Sequence, residues 1–161
     1  MKTCSFTGHR RIESAHESKL SNLLSRAIKY AYDNGCRKFI TGGAIGFDTL
    51  AAREVIKFRI SHPDVSLVLA LPCVNQDENW SLAQRDSYSY TLSMADEVVY
   101  VSEEYTDTCM RERNRYLAEE CDMLIAYAAR YASGAGQTLR MAKELGKQVY
   151  NLYSALTDGN D

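Results

Sequence analysis

The sequence predicts an open, doubly wound α/β fold, a mainly parallel sheet flanked by helices on both faces and three layers deep. Three observations predict it. Short β-rich runs alternate with helical patterns along the whole chain. One run, "VSLVLAL" at 65–71, is apolar without a break, which suits a strand buried on both faces of a parallel sheet. The glycine-rich and polar residues gather in the loops that leave the strands' C-terminal ends, where open α/β proteins bind ligands.

The elements follow in order. Lys2 to Thr7 reads as a first strand ending at Gly8. From Glu17 to Asn34, Leu20, Leu23, Leu24, Ala27, Ile28 and Ala31 recur at the spacing of a helix with one buried face, and Asn34-Gly35 stops it. "KFIT" is a second strand, followed by a helix over Phe47 to Arg59. After the apolar third strand, closed by Pro72, Trp80 to Ala95 reads as a helix and "EVVYV" as the fourth strand. Met110 to Cys121 is the next helix and "MLIAYA" the fifth strand. Thr138 to Leu145 is a helix stopped at Gly146, and "KQVYNLY" a final strand. Residues 1–153 are expected to form one domain, with 154–161 a frayed tail.

Composition narrows the functions. The 161 residues are 45% hydrophobic and 25% charged, the balance of one ordinary globular domain. A net charge of -2 and a pI near 5.9 argue against a broad basic face, so DNA is not expected as a partner and any anion site must be built locally. "MKTCSFTGHR" has no apolar signal core and no run approaches the roughly 20 apolar residues of a membrane span, which predicts a cytoplasmic protein with no membrane contact. Cys4, Cys36, Cys73, Cys109 and Cys121 are scattered, with no C-x-x-C pair, and read as reduced and mostly buried. His9, His16 and His62 form no zinc pattern, so no metal and no required cofactor is expected. A homodimer is compatible with such a chain, and no sequence feature demands one.

On the binding edge, "TGGAIGFD" places Gly42, Gly43, Ala44 and Gly46 before a helix, with Asp48 in its first turn. Glycines let a ligand approach the backbone, and the amides of a first helical turn attract anions. Two readings stay open: a phosphate cradle, or a tight turn whose Asp48 complements the helix dipole. It is neither a G-x-G-x-x-G fingerprint nor a P-loop. "SGAGQT" is a second glycine-rich turn before a helix and adds Gly134, Gly136 and Thr138. "TGHRR" brings Gly8, His9, Arg10 and Arg11 to the same edge, with Arg10 suited to a bidentate grip on phosphate or carboxylate. Basic residues at a helix start oppose the dipole, so Arg113 in "MRERNR", with Asn114, is a site candidate; Arg111 and Arg115 read as a solvated flank. Trp80 is placed either to stack on a base or to anchor the core, and Gln76 and Tyr105 are weaker loop-borne candidates.

Taken in order, "TGHRR", "TGGAIGFDTLAAREVI", "LPCVNQDENW", "RNRYLAEECDMLIAYA" and "SGAGQT" resemble the YpsA-like branch of the SLOG superfamily, the group of the DNA-processing protein DprA and the LOG cytokinin-activating enzymes. The resemblance covers nearly the whole chain. It implies a Rossmann-like fold, a nucleotide or nucleotide-derived ligand, glycine turns at phosphate, and a sensing or regulatory role. It also implies an alternative, a LOG-type phosphoribohydrolase, for which Arg113 matches the arginine after the fourth strand. There this chain departs: Met141 stands where the family's turn carries glutamate. Hydrolysis of an N-glycosidic bond needs a carboxylate, and Asp48, Asp77 or Glu78 would have to supply it. Single-stranded DNA binding or a scaffold role is the remaining alternative.

Overall fold

The computed structural model describes residues 1–129 and 132–158. Six strands and six helices alternate: β1 (Lys2–Gly8), α1 (Glu17–Asp33), β2 (Cys36–Thr41), α2 (Phe47–Ser61), β3 (Ser66–Leu71), α3 (Leu82–Met94), β4 (Glu97–Tyr100), α4 (Cys109–Glu120), β5 (Met123–Tyr127), α5 (Gly134–Glu144), β6 (Gln148–Asn151) and α6 (Leu152–Asp158). The strands form one sheet in the order β4-β3-β2-β1-β5-β6. Every neighbouring pair is parallel, from Lys38 opposite Ser66 to Gly8 opposite Tyr127. The doubly wound expectation holds: three connections step outward from β1, and the fourth crosses back to place β5 on β1's other side.

That crossing divides the helices into two layers. α1 packs on α2 and α6, and α2 on α3, over one face; α4 packs on α5 over the other. Strand alternation supplies both faces. Cys4 and Phe6 of β1 join the cluster that holds Leu20, Leu24 and Ile28 of α1 with Ala51 and Val55 of α2. Leu124 and Ala126 of β5 pack instead with Ala118, Leu139 and Ala142 under α4 and α5. β3 is buried on both faces, as its unbroken apolar run predicts. All five cysteines are buried and free. Among the described residues, no helix is long and apolar enough to cross a membrane.

Three expectations are corrected. "SGAGQT" is not a loop before a helix, because α5 begins at Gly134, with Ser133 as its cap: Ser133 Oγ accepts from the Gly136 amide at 3.0 Å. α3 begins two residues after Trp80, at a capping box of Ser81 and Gln84. The tail is helical through Asp158, with Leu152 and Leu156 buried, since Asn151 turns the chain: its amide bonds both Ala128 backbone groups and its Oδ1 accepts from the Tyr153 amide. Residues 159–161 lie outside the described residues.

The loops after β1 and β2 cross where Gly46 meets the backbone of Arg10, with no room for a side chain at that glycine. A Cβ on Gly46, at φ +84°, would come within 2.2 Å of the Arg10 carbonyl oxygen, whereas one on Gly146, at φ +76°, meets nothing within 4 Å. Gly146→Ala is therefore expected to lose only the left-handed penalty of about 1 to 2 kcal/mol. Gly46→Ala is expected to lose at least twice that or to fail to fold, because the neighbour is rigid backbone. Urea unfolding of both variants makes the comparison, and equal losses would refute the crossing as the constraint.

Candidate functional site

Because β5 sits next to β1 while the chain runs from β1 away through β4, the loops after these two strands diverge at the C-terminal edge. Such a divergence opens a crevice in doubly wound folds. Here it is a cavity of about 280 Å3, floored by Thr7 and Gly8 and walled by Arg10, Ala44 and Asp48, by Arg113 and Asn114 of α4, and by Ser133 to Ala135 at the start of α5.

Arg113 is 5% exposed. Its Nη1 donates to the Gly42 carbonyl at 2.6 Å and its Nε to Asn114 Oδ1 at 3.1 Å. Burial lowers its hold on the proton and nearby Asp48 raises it, but a guanidinium stays charged in either setting. Asp48 is 4% exposed; its Oδ2 accepts from the Ala44 amide at 3.2 Å, while Oδ1 has no hydrogen-bond partner among the described residues. Burial pushes its pKa up to about 6, against the opposing pulls of Arg113, the Ala44 amide and Arg10. A carboxyl of that pKa, beside a fixed cation in a small cavity, is able to accept a ligand hydroxyl or move a proton near neutral pH.

The sequence candidates separate into two groups. Gly8, His9, Arg10, Ala44, Asp48, Arg113, Asn114 and Gly134 line the crevice. His9 is tied in place, its amide donating to the Tyr127 carbonyl and its Nε2 accepting from the Ala129 amide at 2.7 Å.

The others serve the fold. A Cβ on Gly42 would lie 2.6 Å from Arg113 Nη1, and one on Gly43 2.4 Å from Leu71 Cδ2, so these glycines make room for protein. Gly46 faces Arg10 backbone as described, and the Phe47 amide donates to the His9 carbonyl. Gly136 is buried, and Thr138 is 0% exposed with its hydroxyl donating to the Gly134 carbonyl, not available to a phosphate. Gln76 donates to the Gly43 carbonyl at 3.2 Å and braces the loop. Trp80 packs edge-on against Tyr88 and does not line the crevice, nor does Tyr105. The sequence reading missed Thr7, Met110, Leu117, Ser133 and Ala135; a serine three residues before Gly136 was the readable sign of a capped helix start. Among the described residues, no group of three or more His, Cys, Asp or Glu side chains is placed to hold a metal.

Asp48 makes a stability prediction. Its folded pKa lies above the unfolded value near 3.9, so the folded state holds the proton more tightly. The penalty is absent below about pH 4, grows as pH rises to about 6, and is complete above that. Asp48→Asn keeps an acceptor for the Ala44 amide without the charge. It is expected to exceed the parent by about 2 to 3 kcal/mol at pH 8, with the gap closing at pH 4. Urea unfolding at both pH values checks this, and a less stable variant at pH 8 would show that Arg113 outweighs burial.

Comparison with known proteins finds similarity over nearly all of the chain. The family model described as the YspA SLOG family matches residues 5–156. The SPbeta prophage-derived protein YoqJ of Bacillus subtilis (strain 168) is 30% identical over 148 residues, 83% of this chain and 82% of that protein. DNA processing protein A of Streptococcus pneumoniae superposes with a TM-score of 0.66 at 20% identity, over 98% of this chain. DNA processing protein A of Helicobacter pylori, whose structure concerns a single-stranded DNA binding mode, gives 0.63 at 18% over 92%. This chain spans 54% and 63% of those two solved chains, and at such identity they share its fold.

Proposed function

The chain belongs to the YspA SLOG family, and from that premise we propose that it binds a nucleotide or nucleotide-derived ligand in the β1/β5 crevice, in a sensing or regulatory role. One observation carries the reading: a cavity at the switch point combines a buried arginine, a second arginine at the rim and a buried aspartate with an unpartnered oxygen. Cation and carboxylate side by side suit a molecule with both a phosphate and a sugar hydroxyl. The phosphate site is Arg10, Asn114 and the first turn of α5, since the Ala44 and Phe47 amides of the glycine loop are already engaged. No cofactor is needed for this role. Five buried, unpaired thiols suit a protein kept in the reducing cytoplasm.

Asp48 favours a second reading, hydrolysis of a nucleoside monophosphate. In that reaction water attacks C1′, the N-glycosidic bond breaks, and the base leaves with a proton. The carboxylate would stabilise the cation-like sugar. Adenine release from AMP that disappears in Asp48→Asn, with AMP still bound, would establish it. The earlier expectation that DNA is no partner is weakened by the similarity to a protein whose structure concerns single-stranded DNA, so a short oligonucleotide belongs in the test.

The test is thermal unfolding with AMP or a short DNA strand. A ligand at about 100 times its dissociation constant adds about 2.7 kcal/mol, a rise of several degrees. AMP is expected to raise the transition of the parent and not of Arg10→Ala, each shift being measured against the same protein without ligand. A shift with DNA alone, steeply reduced by salt, would replace the nucleotide reading.

A further inference from the structure

Arg10 borders more than the crevice. On the far side of the segment that runs from the Ala44 loop into the first turn of α2 lies a groove of about 530 Å3 between the start of α1, α2 and α3. This segment divides its residues between the two spaces: Ala44 and Asp48 line the crevice, Ile45 and Gly46 the groove. The groove's apolar surface comes from Ile12, Ile45, Leu50 and Ala83, and polar groups come from Glu17, Arg53 and Ser87. Arg53 donates to Ser87 Oγ at 2.8 Å, which holds its guanidinium beside the groove. Among the described residues, the Arg10 guanidinium makes no hydrogen bond or ion pair, and its side chain is exposed where the two spaces meet.

We propose that this groove is the second half of the ligand site, and that it takes the aromatic-ring end of a dinucleotide whose diphosphate crosses Arg10. The inference rests on the nucleotide reading of the crevice and deepens it. Ligand pockets run from about 300 to 1,000 Å3, so a crevice of about 280 Å3 holds a phosphate and sugar with little beyond them. An arginine that has no side-chain partner among the described residues and lines both the crevice and the groove, as well as the open space beside His9 and Arg11, suits a bridging anion, which accepts from both edges of the guanidinium. The groove's apolar side chains suit a flat ring better than a bare sugar. Glu17 adds a carboxylate that accepts from a ring amine or carboxamide, and Ser87 adds a hydroxyl.

Calorimetric titration of AMP and of NAD separates the two halves. NAD is expected to bind the parent at least tenfold more tightly than AMP. Ala83 is exposed in the first turn of α3, outside the crevice, so Ala83→Trp fills the groove and leaves the crevice residues in place. In that variant NAD is expected to fall to the AMP level while AMP is unchanged. Arg53→Ala, also at an exposed position, is expected to weaken NAD severalfold and AMP not at all. The proposal is overturned if NAD binds the parent no more tightly than AMP, or if both substitutions affect the two ligands alike. If neither AMP nor NAD binds the parent, the nucleotide reading of the crevice fails and the groove proposal falls with it.

Discussion

A charge that cannot be titrated away lies inside this protein, and the loops around the crevice are built about it. Arg113 enters from α4, on one face of the sheet, and ends on the carbonyl of Gly42, just past β2. A buried guanidinium is tolerable only where its donors are matched, and here one goes to backbone and another to the neighbouring Asn114. The position of Gly42 follows directly, since any Cβ there would meet both the guanidinium and the Asp48 carboxylate. A helix, a strand end and a loop that are far apart in sequence are thereby held in one geometry. A ligand entering this crevice meets a preorganised cation.

The glycine stretch therefore has a different meaning from the one its composition suggests. Glycines before a helix invite the reading that a ligand comes close to backbone. In this protein what comes close is protein: Arg113 at Gly42, Leu71 at Gly43, Arg10 backbone at Gly46 and the Phe47 ring at Gly8. The loops after β1 and β2 are packed against each other so tightly that their own contacts use the amides of Ala44 and Phe47. On the proposed nucleotide reading, an anion would therefore be met by side chains and by the start of α5 rather than by this backbone. The small residues still serve the site, because they let the arginine and aspartate stand where they do.

The fold was legible because period and spacing carry it. Leu20, Leu24 and Ile28 mark a helix face in any context, and the unbroken run at 65–71 marks a central strand. What was not legible depends on partners distant in sequence. Thr138 looks like a phosphate donor until its helix is seen to begin four residues earlier, where its hydroxyl bonds the Gly134 carbonyl. Glycine at a helix start resembles a turn, and the cap at Ser133 outweighs its poor propensity. Asp48 in a first turn reads as a complement to the dipole; its burial with Arg113, which comes from a helix far along the chain, is in no local pattern. Trp80 has the right loop and the wrong side of it, because Tyr88 supplies its neighbour.

Charge balance within the crevice limits how a sugar phosphate can lie there. An ionised carboxylate and a phosphate are both acceptors and repel each other at contact, so the phosphate cannot face the unpartnered oxygen of Asp48. It has donors elsewhere. At the start of α5 the Gly136 amide is engaged by Ser133, whereas the turn at Gly134 and Ala135 borders the cavity with the positive end of the helix, beside Asn114. On the proposed reading, a phosphate at that end would leave the sugar and its hydroxyls facing Arg113 and Asp48, whose buried Oδ1 lacks a donor among the described residues. A carboxylate kept at a pKa of about 6 by burial gains an ionic form stabilised by that hydroxyl, so ligand binding and deprotonation of Asp48 favour each other. On that reading, the residue whose burial opposes its ionisation in the free protein would favour a molecule with a hydroxyl at one end and an anion at the other.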